Sequence, residues 1–447
     1  MEALERSWES PNFDLFLIYG RRRIGKTELI KEFSRKKPHI YFLSPQDTED
    51  RQLDKMLDLV SSHFDERKPD IHDWREGVRY LQEKLEEERI VLAIDEFPRL
   101  VESNRSILSY LQELADEIQS KSTLILCGSS ISVMESEVIG HRSPLFGRRT
   151  GQIDLQPFDF PTCLEAIDYP FEEAIRSYAV TGGAPMYLLS FDYRHSLEEN
   201  IRDRIMDKRS FMFQEPEFLL RTELRNPSRY MSILEAVAHG HTTPNGISNR
   251  TGIDPGPLSR YLNTLRRLRL IRRETPVTEK RKKSKRSLYE IHDNFLRFWF
   301  NYVEPQRSNI EMSLQDVVSG DIMPSLDEYS SETFEDVCRE TVAKLSQMLV
   351  PIRYGMIGRW WHREEEIDIV GLNERDNEIL FGECKWSQDV NASDLYLRLK
   401  EKKRDVRWRN KDRNERYILF AKSFRNIPQT GDLTCMDLED IERSLRK

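Results

Sequence analysis

Four short apolar runs, residues 16–19, 40–43, 90–94 and 123–127, recur through the first third of the chain. Between them, apolar residues fall at three- and four-residue spacing. Short continuous apolar runs suit strands buried on both faces, and the intervening spacing suits amphipathic helices. The alternation therefore predicts an α/β fold built on a parallel sheet. From about Gln156 to Tyr302 helical spacing takes over, with turn signals at Thr181-Gly182-Gly183 and Pro244-Asn245-Gly246. After about Ser308, helical sequence leads to a hairpin-like pair, 366–371 and 378–385. A last strand at 417–421 follows a charged helical stretch, which predicts a second, smaller α/β domain. We expect a sheet domain over 1–155, a helical domain over 156–225, a further helical module over 226–305 and the small α/β domain over 306–447.

Length supports this division, because 447 residues exceed what one hydrophobic core organises. With 38% apolar and 33% charged residues, the chain is expected to fold into several cores under a charged, cytoplasmic surface. No apolar run approaches the roughly 18 residues of a membrane helix, so no membrane contact is expected. Five scattered cysteines, Cys127, Cys163, Cys338, Cys384 and Cys435, never stand at metal-ligand spacing and predict reduced thiols. The net charge of −8 conceals one basic stretch: residues 256–290 hold twelve Lys or Arg against three Glu, a local +9. Such a patch in an acidic chain points to a polyanion, or to a solvated helix face.

The chemistry begins where the first strand ends. Gly20-Arg21-Arg22-Arg23-Ile24-Gly25-Lys26-Thr27 fits G-x-x-x-x-G-K-S/T between that strand and a helix opened by Glu28. The glycines let backbone N–H groups curl toward phosphates, and the helix terminus adds its positive dipole end. Lys26 is expected to reach the β and γ phosphates of ATP or ADP, and Thr27 the accompanying Mg²⁺. The run 91–94 ends in Asp95 and Glu96. Asp95 is expected in the magnesium shell, and Glu96 as the group that polarises the attacking water. Ser129, after the fourth run, either senses the γ-phosphate or orients water, or belongs to a plain Gly-Ser loop. Arg148, after a flexible turn, either neutralises transition-state charge or forms a surface salt bridge.

These motifs, with Leu145-Phe146-Gly147-Arg148 and Tyr178-Ala179-Val180-Thr181-Gly182-Gly183-Ala184-Pro185, resemble the archaeal-type ATPases of the STAND-related P-loop class. The resemblance covers nearly the whole chain, since one branch adds a winged helix and a nuclease-like domain of unknown function. It implies that Gly183 and Pro185 belong to a helical domain that approaches the nucleotide. Family members usually carry an F-x-x-R-E segment before the P-loop, of which residues 1–13 hold only the tail; the family's contribution to adenine recognition is expected to differ here.

In the basic middle, Thr243-Pro244 and Asp254-Pro255 read as helix starts and Gly252 as a helix end. Leu258, Leu262 and Leu265 fall on one face, with Arg260, Arg266, Arg267 and Arg269 elsewhere around the helix. A basic loop containing Lys280, Arg281, Lys282 and Lys283 follows. This reads as a winged helix-turn-helix for which DNA is the expected partner, or as an intramolecular lid. In the last domain Asp368, Glu383 and Lys385 form a D-x₁₄-E-x-K pattern that resembles the PD-(D/E)xK nuclease core, a restriction-endonuclease-like fold. By that resemblance Asp368 and Glu383 hold Mg²⁺, Lys385 activates water, and Glu335 supplies an extra acid. A homo-oligomer is compatible with all of this.

Overall fold

The structure is a computed structural model that describes residues 1–224, 226–279, 284, 286–349, 354–410 and 412–446. Two compact units account for it: Met1–Pro157 with Ala184–Met186, and Phe158–Gly183 with Tyr187–Lys447.

The first unit is a five-stranded sheet of β1 (Asp14–Tyr19), β2 (His39–Leu43), β3 (Val91–Asp95), β4 (Thr123–Gly128) and β5 (Gly151–Asp154) in the order β2-β3-β4-β1-β5. Every pairing is parallel. Side-chain alternation sends Leu15, Leu17, Leu92, Ile94, Leu124 and Leu126 into one core. The intervening Phe16, Ile18, Val91, Ala93, Ile125 and Cys127 enter a second core on the opposite face. On the first face lie α3 (Glu49–His63), α4 (Trp74–Glu87) and α6 (Ile107–Glu117), which follows the short α5 (Pro98–Ser103). Asp73 caps α4 by accepting from the amides of Arg75 and Glu76. The second face is closed by α1 (Glu2–Trp8) through Leu4 and by α2 (Lys26–Ser34) through Ile30 and Phe33. Strand β5 was not among the expected runs because its half-buried and exposed positions alternate, leaving no apolar run. The carboxyl ends of β1, β3 and β4 meet at one edge, where α/β sheets bind ligands.

The second unit begins with helices and closes on a second sheet. The helices Pro227–Ala238, Pro244–Thr251 and Pro255–Arg267 are followed by the antiparallel hairpin β6 (Ile271–Glu274) and β7 (Leu288–Ile291). Thr243 caps its helix by accepting from the Gly246 amide, and Gly252 ends it at φ 68°, as the sequence predicts. Next come β8 (Met356–His362), β9 (Glu365–Asn373), β10 (Glu378–Lys385), β11 (Val390–Asn391), β12 (Asn414–Ala421), β13 (Phe424–Arg425) and β14 (Leu433–Met436). The main sheet runs β14-β12-β10-β9-β8, with β9 antiparallel to both β10 and β8 and the rest parallel. Helix Leu326–Leu349 covers one face through Phe334, Val337, Cys338 and Val342. Helix Ala392–Lys402 covers the other through Leu395, Tyr396 and Leu399.

The β6–β7 hairpin is held against this second sheet by charge. Arg272 of β6 donates to Asp336 on the long helix at 3.1 Å. Arg359 of β8 pairs with Glu290 of β7 and with Glu366 of β9. Arg286 donates to the Trp361 carbonyl at 2.8 Å, and the Val277 amide to the Arg359 carbonyl at 3.0 Å. Several cations of the basic stretch are therefore structural rather than solvated. Among the described residues, no helix is long and apolar enough to cross a membrane.

Candidate functional site

Strand β1 feeds directly into the glycine-bearing loop. A Cβ at Gly20 would lie 2.4 Å from the Leu155 carbonyl oxygen and 2.5 Å from Ile24 Cδ1, so only glycine fits there. Arg23 and Gly25 take positive φ, 71° and 89°, which turns the chain into α2. Lys26, only 6% exposed, donates to the Gly20 carbonyl at 2.9 Å and the Arg21 carbonyl at 2.7 Å. Burial lowers its ammonium pKa below the ordinary lysine value, with Glu96 and Asp95 opposing that shift.

Asp95, at the tip of β3, is 2% exposed and gathers three donors. Its Oδ2 accepts from Thr27 Oγ1 and from Tyr41 Oη, both at 2.7 Å. Its Oδ1 accepts from the Glu96 amide at 2.9 Å. Burial alone would raise the carboxyl pKa; the hydrogen bonds from Tyr41, Thr27, Cys127 and the Glu96 amide outweigh it and hold Asp95 below its ordinary value. Glu96 sits in the left-handed region at φ 53°, a conformation that costs energy for a residue with a Cβ. Its carboxylate accepts from Ser129 Oγ at 2.9 Å. Thus Lys26, Thr27, Asp95, Glu96 and Ser129 are brought together at one sheet edge. A recessed ammonium, a helix terminus and a hydroxyl on a buried carboxylate fit a nucleotide triphosphate with Mg²⁺.

The segment Ala184–Met186 lies on this loop. The Met186 amide donates to the Arg23 carbonyl at 3.4 Å, and Arg23 Nη1 reaches Met186 Sδ at 2.9 Å. Pro185 Cγ stands 3.8 Å from where a Cβ would project at Gly25. Arg21 is buried and Arg22 half-buried in the loop.

Two nearby residues form surface ion pairs. Glu28 turns its carboxylate outward to Lys31 at 2.8 Å, so only its backbone belongs to the helix terminus. Arg148 forks onto Asp116 of α6, Nε to Oδ1 at 3.0 Å and Nη2 to Oδ2 at 3.1 Å.

In the second unit, β9 and β10 bring Asp368 and Glu383 together, with Lys385 beside Glu383. Asp368 Oδ2 accepts from the Cys384 amide at 2.8 Å. Glu383, 1% exposed, binds Lys402 Nζ at 2.6 Å and Lys385 Nζ at 3.5 Å. Burial raises the pKa of Glu335 first, and neighbouring Asp368 raises it further; Arg339, at 3.7 Å, opposes both. Among the described residues no three Asp, Glu, His or Cys side chains stand together as ligands for a metal ion. Of the three acids expected to hold a metal, Asp368 gives one oxygen to the backbone and Glu383 is balanced by two lysines.

On helix Pro255–Arg267, Leu258, Leu262 and Leu265 are buried while Arg260, Arg266 and Arg267 are exposed. Arg266 and Arg267 line an open groove of about 470 Å³ with Arg269, Arg272, Arg273 and His292. Lys280, Arg281, Lys282 and Lys283 lie outside the described residues.

Tyr41, Lys402 and Arg339 escaped the sequence reading. No local motif marks Tyr41, which meets Asp95 only because β2 pairs with β3. Lys402 reaches Glu383 from a helix later in the chain, and Arg339 donates to the Asp368 carbonyl at 3.1 Å from the long helix.

Residues 1–191 match a family described as an ATPase domain predominantly from Archaea, and residues 299–404 match a family of archaeal and bacterial proteins of unknown function. An uncharacterized protein of Methanocaldococcus jannaschii is 34% identical over 99% of this chain and 98% of its own length. An uncharacterized ATP-binding protein of the same organism is 54% identical over 33 residues, 7% of this chain and 56% of that protein. Among solved structures, the Walker-type ATPase of Pyrococcus abyssi shares the fold with a TM-score of 0.50 at 20% identity, over 67% of this chain and 95% of that one.

Proposed function

We propose, from the premise that this chain belongs to the same family as its full-length Methanocaldococcus jannaschii relative and carries the ATPase domain found predominantly in Archaea, that it binds and hydrolyses ATP to control association with DNA. The observation that carries the nucleotide reading is the bond from Thr27 to buried Asp95, beside a lysine recessed into its own loop. The loop amides and the α2 terminus bind the phosphates, and Lys26 turns from the Gly20 and Arg21 carbonyls toward the same charge. Thr27 and Asp95 would hold Mg²⁺, which supplies charge neutralisation on the triphosphate. Glu96 orients and polarises water, and Ser129 fixes the carboxylate that does so. Pro185 and Met186, resting on the loop, are the first residues to respond when its occupancy changes.

The DNA half of the proposal rests on three helices and a hairpin that read as a winged helix-turn-helix, with Arg260, Arg266 and Arg267 exposed. Basic side chains of this kind bind phosphates, and their contribution depends on salt. The loop with Lys280, Arg281, Lys282 and Lys283 would add to it. We read the Asp368, Glu383 and Lys385 domain as nuclease-like in fold and as a binding surface in use, since Lys402 and Lys385 already balance Glu383. A magnesium-dependent nuclease governed by ATP is the rival, favoured by the convergence of those three residues. Incubation with Mg²⁺, ATP and plasmid separates the two. Phosphate release that disappears in Lys26→Ala, without nicking, supports the switch. Nicking that disappears in Lys385→Ala supports the nuclease, and no phosphate release from wild type removes the ATPase reading.

A further inference from the structure

We propose that Tyr41 is the positioning residue that anchors Asp95 for the metal, and that it does so from the sheet rather than from the nucleotide loop. The inference rests on the reading of this site as one for ATP and Mg²⁺. Parallel pairing sets Tyr41 opposite Ala93 and Leu43 opposite Asp95. Tyr41 and Asp95 therefore share a face of the sheet, two positions apart, and the length of a phenol spans the offset. The ring packs against the core made by Leu4, Ile30, Phe33 and Ala93, so its hydroxyl is held by the framework.

Asp95 Oδ2 receives two hydroxyls at the same 2.7 Å, but they come from different parts of the molecule. Thr27 stands in the first turn of α2, directly after the loop that would receive the phosphates. Tyr41 sits on β2 and does not depend on the loop. Without it, the Asp95 carboxylate would lose a framework donor on the Oδ2 side and keep there Thr27, a group that also serves the metal.

The test uses the full chain and measures ATP binding by calorimetry, in EDTA and in Mg²⁺, for wild type and Tyr41→Phe. The substitution keeps the ring and its packing and removes only the donor. The expected result is ATP affinity in EDTA within about twofold of wild type, with the extra affinity conferred by Mg²⁺ reduced by about fivefold to tenfold. Manganese binding to the ATP complex, followed by electron paramagnetic resonance, is expected to weaken by a similar factor. Retention of the full magnesium effect in Tyr41→Phe overturns the proposal. So does an equal loss in both buffers, which assigns Tyr41 to the general shape of the pocket. Wild-type protein that ignores ATP in both buffers removes the nucleotide reading itself.

Discussion

Ser129 Oγ donates to Glu96 Oε1 at 2.9 Å, joining the residue just past β4 to the residue just past β3. The bond gives a strained Glu96 one carboxylate direction. Ser129→Ala is expected to lower kcat about tenfold while leaving ATP affinity within about twofold, because the lost hydrogen bond orients the base without touching the phosphates. Glu96→Gln is expected to retain binding and abolish multiple turnover. Steady-state phosphate release and equilibrium binding, measured together, check both.

Lys26 carries a pH signature. Its folded pKa lies below the unfolded value, so the unfolded chain binds more protons between the two. Nucleotide-free protein should therefore gain stability as pH rises through the interval below 10.5. Lys26→Met should flatten that dependence and raise the unfolding midpoint of the nucleotide-free protein at neutral pH. Denaturant titrations from pH 7 to 10 measure the slope.

Lys402→Ala removes the closer of two lysines from the buried Glu383 carboxylate. A destabilisation of about 2–4 kcal/mol at pH 8 is expected from uncovering that charge. Burial raises the Glu383 pKa, with Asp368 adding to it. A carboxyl whose folded pKa is raised loses stability as pH rises through the window above 4.5, and removing Lys402 widens that window. Urea unfolding should thus show a smaller penalty at pH 5 than at pH 8.

Arg266→Ala with Arg267→Ala is expected to weaken duplex binding and reduce the magnitude of the log K against log salt slope by about 2, one per lost phosphate contact. Arg260→Ala tests the other end of the helix. Fluorescence anisotropy across a salt series reads all three, and unchanged slopes would remove DNA from the account.

Much of the nucleotide site was legible because its signals are local: Gly20 to Thr27 lie in one run, and Asp95 and Glu96 end another. The β9–β10 hairpin was legible for the same reason. What escaped depends on long-range pairing. Tyr41 acquires meaning only from the register of β2 on β3, and Lys402 only from helix Ala392–Lys402 folding back over the second sheet. Strand β5 was hidden by its mixed pattern, and β8 by tryptophans that gave no period. The Arg148 salt bridge shows the converse limit, since a guanidinium near a motif in sequence turned to an aspartate on α6. Charge counting over residues 256–290 likewise could not separate exposed Arg266 and Arg267 from Arg272, whose partners are Glu290 and Asp336.

Those last pairings bear on how force would travel within the second unit. Arg272, Arg286 and Arg359 tie the hairpin to β8 and the long helix. A duplex drawn to the arginines of helix Pro255–Arg267 would take hold of an element that leads into these pairings. Any pull on it would be delivered, through Asp336 and Arg339, to the backbone that carries Asp368.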